Sequence, residues 1–389
     1  MRNKVLKIII IFIVFLIILG SSRGFLKHKK DCDKFVASTC LEKVKYLSDY
    51  EPSLKNTNMD SPVYFFDSQV EGGTVFIMSG AHPNECGSIL ATYILMENLN
   101  IEKGKIIVLP VGNLSAQTSS CIGNAYPISY SVKTSWGEKE FKIGDRSTNF
   151  LDQWPDPPIF IQYPSFQSLS FQEARNINRT YPGRGSGSLT ERTSFAISKL
   201  LEKESVDLAF DCHEASLTYP VNQTIVSSEI GEDIAFISSF LLQEKGINMK
   251  VEVSQDSLYG YSHSEWPSKG AISFLLEVPN PFQDRITGPM TENLMKTGKD
   301  DFLLKLHKKG FINIDYDENG SSLEKRAGMT LETISQIIFC YNQMNTKSEI
   351  VASWPTFEDL ITKNVGFFFH NPNSKENIAR VCYVQPKKY

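Results

Sequence analysis

The sequence predicts an α/β fold, a buried sheet flanked by helices, on three observations. Residues 75–78 form a continuous apolar run, which is typical of a strand covered on both faces. Residues 206–211 and 271–278 are two further runs that indicate buried strands. Apolar residues recur near helical spacing between Cys86 and Leu99, so we expect a helix after the first strand.

The turn after the first strand carries His82 and Glu85, three residues apart. Gly80 ends the apolar run, which places this pair between the carboxyl end of a strand and a helix, where open α/β sheets gather their ligands. Imidazole nitrogen and carboxylate oxygen are zinc ligands, but a catalytic zinc site needs three protein ligands and a free position for water. A His and a Glu at this spacing are by themselves weak evidence for a zinc site. The common alternative is that both side chains lie on the surface near the start of a helix.

The other two predicted strands also end on polar groups. His213 follows the run 206–211, and Glu277 lies near the carboxyl end of 271–278, just before Pro-Asn-Pro. The chain has only six histidines in 389 residues. The placement of two of the six histidines at predicted strand ends is therefore improbable by chance. The sequence predicts that the histidine and glutamate side chains at these ends share one site.

Asn178 and Arg179 begin a glycine-rich loop, and Ser188 with Glu191 has the form of a capping box at the start of the next helix. An arginine suits bidentate recognition of a carboxylate. A solvated arginine on a loop is the alternative for this position.

Four motifs together resemble the zinc carboxypeptidase superfamily, in its succinylglutamate desuccinylase/aspartoacylase branch. They are HPNE, NRTYPG, DCHEAS and FLLEVPNP, in this order, and the resemblance covers about residues 60 to 300. It implies a mixed eight-stranded sheet between helices and one Zn²⁺ per chain. By position, it implies zinc ligands at His82, Glu85 and His213, a general base and acid at Glu277, and a clamp for the substrate's free carboxylate at Asn178 and Arg179.

The chemistry of amide hydrolysis agrees with these roles. It requires a hydroxide-like nucleophile at neutral pH, and zinc lowers the pKa of bound water toward about 7. Glu277 would take that proton and later hand it to the leaving amine. An unpaired carboxylate in an otherwise apolar strand is costly, which argues against a purely structural Glu277.

The sequence does not decide the roles of the other candidate site residues. Arg175 and Arg146 are both candidates to stabilise the oxyanion, and either could instead be a structural ion-pair partner. Tyr259 and Tyr261 are both candidates for a substrate-contacting tyrosine. His263 could line the pocket, although a histidine beside a tryptophan is more often packed or on the surface.

The N-terminus has the layout of a signal peptide. Basic residues precede the uninterrupted apolar residues 8–19, and small residues follow. Residues 1–24 are therefore expected to be a signal peptide or a membrane anchor, since the basic residues after them leave cleavage undecided. We expect an exported protein, either membrane-anchored or secreted or periplasmic.

The rest of the chain is expected to form one catalytic unit. Residues 25–60 are a lead-in, 61–300 the zinc hydrolase domain, and 301–389 a mainly helical extension packed on it, because so short a segment offers little core of its own. The composition, 41% hydrophobic and 22% charged with a net charge of −4, is that of a globular protein with no electrostatic case for nucleic acid.

Three functions remain. The first is a deacylase acting on an N-acyl amino acid or related amide with a free carboxylate. The second is an exported carboxypeptidase acting on peptides or cell-wall peptides. The third is an inactive binding protein that keeps the fold. The expected partners are a small-molecule or short-peptide substrate and, if the N-terminal segment is uncleaved, a membrane.

Overall fold

A computed structural model describes residues 2–119, 127–255, 257–283 and 290–385 of the chain. The strands are β1 (Lys34–Val36), β2 (Leu41–Tyr46), β3 (Pro62–Asp67), β4 (Thr74–Ser79), β5 (Asn100–Lys103), β6 (Lys105–Leu109), β7 (Ser129–Thr134), β8 (Gly137–Lys142), β9 (Phe160–Ile161), β10 (Ser168–Leu169), β11 (Leu208–Ala215), β12 (Thr224–Ser227), β13 (Lys250–Val253), β14 (Ile272–Pro279), β15 (Val351–Ser353) and β16 (Val381–Tyr383). The helices are α1 (Arg2–Lys30), α2 (Cys86–Asn98), α3 (Leu189–Lys203), α4 (Glu232–Glu244), α5 (Ser262–Glu265), α6 (Glu292–Thr297), α7 (Asp301–Lys308), α8 (Leu323–Met344) and α9 (Phe357–Lys363).

The central sheet has eight strands in the order β13-β12-β14-β11-β4-β6-β3-β2. Strands β14, β11, β4 and β6 run parallel, whereas β12 pairs antiparallel with β14, and β3 pairs antiparallel with both β6 and β2. The predicted mixed eight-stranded sheet is therefore confirmed.

Helices cover both faces of this sheet. Successive side chains of a strand point to opposite faces, so a strand that is apolar throughout needs cover on both. Ile77, Phe210 and Phe274 belong to a core shared with α2, α4 and α8. Their neighbours Phe76 and Ala209 belong to a second core shared with α3. Because Asp211 and His213 alternate with Phe210 in β11, their side chains lie on the α3 face.

Two local features predicted from the sequence shape the edge where the site lies. Gly80 has a positive φ of 58°, and a Cβ there would lie 3.0 Å from the Val111 Cα, so a side chain would be strained at the end of β4. Ser188 caps α3, accepting a hydrogen bond from the Glu191 backbone N–H while the Glu191 carboxylate accepts one from the Ser188 N–H.

The C-terminal part is mainly helical, as predicted. Helix α8 packs on α2, α4 and α9, and its Ala327, Leu331 and Ile334 are fully buried. Two short strands tie this part to the rest of the chain, since β15 pairs with β5 and β16 pairs with β1.

Helix α1 stands apart from these cores. By length and composition it can cross a membrane, with a mean hydropathy of 2.8 and none of its most apolar window buried. A signal sequence near an N-terminus has the same properties, so the helix agrees with either expectation for this segment.

Candidate active site

The predicted site residues converge at the carboxyl ends of three neighbouring strands. His82 and Glu85 lie in the turn between β4 and α2, and His213 lies on β11, which pairs with β4. Glu277 lies on β14 directly beside His213 in the parallel register. The carboxyl ends of parallel strands meet at one edge of a sheet, and this edge brings the four side chains together.

Three buried side chains form a group with the chemistry of a metal site. One ligand atom from each of His82, Glu85 and His213 lies within 4.8 Å of the others. The Nδ1 atom of His82 lies 2.7 Å from Glu85 Oε1, and the Nδ1 atom of His213 lies 2.9 Å from Glu85 Oε2. Both imidazoles therefore present Nδ1 to the same carboxylate.

The outer nitrogens of both imidazoles also have partners. Nε2 of His82 lies 2.9 Å from the amide oxygen of Asn176. Nε2 of His213 lies 3.0 Å from Asp211 Oδ1, off the line of a straight hydrogen bond, and Asp211 Oδ2 accepts a 2.6 Å hydrogen bond from Ser262. Such outer partners hold the ring orientation of metal-ligating histidines.

Asn176 and Asp211 were missed by the sequence reasoning. A signal for Asp211 was present, because a carboxylate two residues before a histidine in one strand projects from the same face. Asn176 reaches His82 from a loop 94 residues away, which no local pattern indicates.

The group fits a zinc ion. Two imidazole nitrogens and one carboxylate form a known catalytic zinc donor set. Glu85 has a lowered pKa: burial opposes ionisation, but His82 and His213 outweigh it. Burial likewise opposes protonation of His213, but Asp211 and Glu85 raise its pKa well above the ordinary value. A bound cation would replace that proton, as metal binding to such ligands requires.

Glu277 has the environment of a general base and acid. Its Oε2 atom is buried without a hydrogen-bond partner among the residues that the structure describes. Burial, with the nearby Glu85 charge, raises the pKa of its carboxyl to about 8. A carboxyl that titrates near neutral pH can both accept and return a proton.

The two candidate arginines lie in different places. Arg146 lines the cleft, with Nη1 3.3 Å from His82 Nδ1 and 3.8 Å from Glu85 Oε1. Arg175 instead pairs with Asp156 at 2.9 Å and lies over the ring of Phe150 at 3.6 Å. The structure therefore brings Arg146 to the cluster and holds Arg175 in a structural ion pair.

Asn178 and Arg179 both line the cleft. Arg179 lies over the Tyr261 ring at 4.0 Å and donates a 2.6 Å hydrogen bond to the Asn178 carbonyl. The Asn178 side chain accepts a 3.0 Å hydrogen bond from the Ser262 N–H. These contacts hold a guanidinium in the cleft, where it can bind a carboxylate.

Of the two candidate tyrosines, Tyr261 lines the cleft and Tyr259 lies at a neighbouring depression. His263 is a buried lining residue whose Nδ1 lies 2.8 Å from Ser254 Oγ, and burial lowers its pKa to about 4. It is therefore neutral near pH 7. Tyr219, which no motif predicted, also lines the cleft and is 52% exposed.

The cleft has a volume of about 660 Å³ and extends well beyond the cluster. Its outer lining residues come from β12, β13, the segments around them and the middle of β14: Ser216, Thr218, Val221, Val226, Glu252, Ser254, Gln255, Leu258 and Leu275.

Comparison with known proteins gives similarities of fold only. The chain matches no family model and no curated protein. It is similar in structure to a metallo-carboxypeptidase from Burkholderia cenocepacia, with 11% identity over 82% of this chain and 68% of that chain and a TM-score of 0.45. It is also similar to the product-bound cell shape determinant protein Csd4 from Helicobacter pylori, with 10% identity over 75% of this chain and 56% of that one and a TM-score of 0.42.

A third similar structure is a succinylglutamate desuccinylase from Silicibacter sp. TM1040, with 14% identity over 67% of this chain and 64% of that chain and a TM-score of 0.35. Metallo-carboxypeptidase and desuccinylase are the kinds of protein that the motif resemblance indicated. At such low identity and TM-score, activity has to be argued from the site itself.

Proposed function

We propose that this protein is a zinc-dependent amide hydrolase that removes the acyl group from an N-acyl amino acid or a related amide with a free carboxylate. One observation carries the proposal: the buried group of His82, Glu85 and His213 shares a cleft with the Glu277 carboxyl. Arg146 and Arg179 line the same cleft and supply the positive charges that such a substrate needs.

A zinc ion held by the three ligands would lower the pKa of water and polarise the substrate carbonyl. Glu277 takes a proton from the attacking water, whose oxygen forms a bond to the amide carbon. The C–N bond then breaks, and Glu277 returns the proton to the leaving nitrogen. Arg146 stabilises the negative charge that develops on the carbonyl oxygen.

Arg179 orients the substrate through its free carboxylate. Its guanidinium is held by Tyr261 and by the Asn178 carbonyl, so little side-chain freedom is lost when it binds a ligand. Positioning of this kind keeps the amide bond close to Glu277.

A carboxypeptidase is the second candidate, and the size of the cleft favours it. A neighbouring depression of about 480 Å³ shares Ser254, Gln255, Leu258 and His263 with the cleft. The two together offer room for a substrate longer than an acyl amino acid. Analysis of the products from acyl amino acids and from short peptides separates the two candidates.

Two variants test the assignment of metal and base. Glu277→Gln keeps the shape of the carboxyl but cannot accept the proton, so we expect full zinc content and a kcat lowered by about 10²- to 10⁴-fold. His213→Ala removes a ligand, so we expect loss of zinc measured by metal analysis of the purified protein. Undiminished turnover by Glu277→Gln, or full zinc content in His213→Ala, would overturn the proposal.

We also propose that the chain is exported and either anchored by α1 or released after cleavage. The exposed apolar helix and the basic residues on both sides of its apolar stretch support this location.

A further inference from the structure

The basic side chains of the cleft lie at one end only. Arg146 and Arg179 are the only arginines or lysines among the described lining residues, and they lie beside Glu85 and Glu277 at the end that holds the metal-ligand group, whereas Glu252 lines the other part. The neighbouring depression adds Glu229 and Glu265, and it has no lysine or arginine among its described lining residues. A substrate that fills the whole cleft therefore finds arginine side chains only near the hydrolysed bond, and away from it meets carboxylates with no arginine or lysine among the described lining residues.

The sheet register places Glu252 relative to the site. Asp211 pairs with Leu275, Leu275 with Val226, and Val226 with Glu252, so one row of side chains crosses four strands on the same face. Glu252 is on β13, two strands beyond the β14 strand that carries Glu277. With strands about 4.8 Å apart, the two glutamates are about 10 Å apart across the sheet. Glu252 is also two residues from the row of Glu277 along the strand direction, about 7 Å, so the backbone positions are about 12 Å apart in all.

The Glu252 carboxylate has no ion pair or hydrogen bond with any residue that the structure describes. Lys250, two residues earlier on the same strand, is exposed and does not line the cleft. Glu252 itself is only partly exposed, beside the buried Val226 and Leu275. A partly desolvated carboxylate is stabilised by a cation brought to it.

We infer that the substrate carries a positively charged group, a primary ammonium or a guanidinium, about 12 Å from the hydrolysed amide, and that Glu252 binds it. This inference rests on the proposed function for the place of the hydrolysed bond. It narrows the substrates to basic peptides and basic acyl amino acids. An acyl group with a second carboxylate that reached Glu252 would meet a like charge.

Matched pairs of substrates test the inference. Each pair is a short peptide with a free C-terminal carboxylate that differs only in lysine or norleucine, placed either at the C-terminus or one or two positions before it. For the zinc-loaded protein we expect kcat/KM to be about tenfold higher for the lysine member at one of these positions. The position that shows the preference tells which side of the amide bond faces Glu252.

Three variants test whether Glu252 causes the preference for the lysine peptide. Glu252→Gln should remove it, and Glu252→Lys should reverse it in favour of a glutamate-containing peptide. Glu244→Gln removes one negative charge at the exposed end of α4, outside the cleft, and should leave the preference unchanged.

Binding to the Glu277→Gln variant, measured by calorimetry with the same peptides, separates this inference from the proposed function. A lysine preference in binding, without hydrolysis of the peptides or of the acyl amino acids N-acetyl-lysine and N-acetyl-norleucine by the unmodified protein, would contradict the function and support the role of Glu252. Hydrolysis of all peptides with no lysine preference, or a preference that survives Glu252→Gln, would overturn the inference alone.

Discussion

Both histidines of the cluster turn the same ring atom, Nδ1, toward Glu85, and each outer nitrogen has its own partner. Asn176 and Asp211 are those partners, at 2.9 Å and 3.0 Å. Partners on both sides of an imidazole restrict its orientation, which prepares it for a metal. At the residue scale, the site therefore depends on groups outside the ligand set.

Arg146 and Arg175 contrast a proposed catalytic role with a structural ion pair. We expect Arg146→Ala to lower kcat by about 10²- to 10³-fold, because its guanidinium lies beside the cluster and lines the cleft, where it can stabilise the charge on the carbonyl oxygen. We expect Arg175→Ala to lower the melting temperature instead, because it leaves Asp156 unpaired with both side chains 7% exposed. Thermal melts and steady-state kinetics on both variants check this. The reverse pattern would move the oxyanion role to Arg175.

The raised pKa of Glu277 predicts how the stability of the folded protein depends on pH. Its folded value of about 8 exceeds the ordinary 4.5, so at intermediate pH the folded state binds a proton that the unfolded state has lost. The Glu277 carboxyl therefore lowers the free energy of unfolding as pH rises from about 4.5 to about 8.

Glu277→Gln stays neutral and serves as the reference for that effect. In metal-free protein, we expect the variant to become progressively more stable than the unmodified chain between pH 5.5 and 8.5, by up to about 1.4 kcal/mol per pH unit. Urea unfolding across this range measures the difference. A difference independent of pH would show that Glu277 is already ionised in the folded protein.

At the scale of elements, an ion pair joins the strand that carries His213 to the C-terminal helix α8. Glu214 on β11 and Arg326 on α8 lie 2.7 Å apart, and both side chains are fully buried. The Glu214 carboxylate also accepts hydrogen bonds from the Gly87 N–H at 3.0 Å and from Asn280 at 2.8 Å. A Cβ at Gly87 would collide with this carboxylate, so the glycine at the start of α2 lets the elements meet.

Breaking this pair should be severely destabilising. Arg326→Met leaves a buried carboxylate without its partner, and we expect a loss of about 3–5 kcal/mol in the free energy of unfolding. The double variant Glu214→Gln/Arg326→Met removes both charges and should be more stable than Arg326→Met.

An exposed ion pair of the same length is the control for that measurement. Lys363 and Asp359 on α9 also lie 2.7 Å apart, with side chains 48% and 33% exposed. Lys363→Met should cost less than about 1 kcal/mol. Denaturant unfolding of the three variants gives the comparison, and an equal cost for the two single variants would contradict the role given to burial.

At the scale of the whole molecule, α1 is separate from the packed cores. Its apolar window is exposed, whereas His28 near its end is buried against the body. A chain that lacks residues 1–24 keeps His28, so we expect unchanged melting temperature and hydrolysis. Movement from the membrane fraction to the soluble fraction on truncation is the result expected of an anchor, whereas a cleaved signal peptide leaves both forms in the soluble fraction. Fractionation and thermal melts of both forms check this. A large loss of stability on truncation would mean that α1 packs on the protein.

The sequence by itself determined the sheet's buried strands and the residues at their ends. Continuous apolar runs mark such strands, and parallel strands bring their carboxyl ends to one edge, so His82, Glu85, His213 and Glu277 could be expected to meet. The helical C-terminal part was also predictable, because helical periodicity is a local property.

Only the tertiary structure decided which distant groups complete the site. Arg146 and Arg175 are chemically equivalent in the sequence, and the partner Asp156 separates their roles. Glu252 reaches the cleft because β12 lies between β14 and β13, antiparallel to β14 and parallel to β13, an order that no local pattern encodes. Such placements depend on long-range packing, and strand order and loop position are set by the whole core rather than by neighbouring residues.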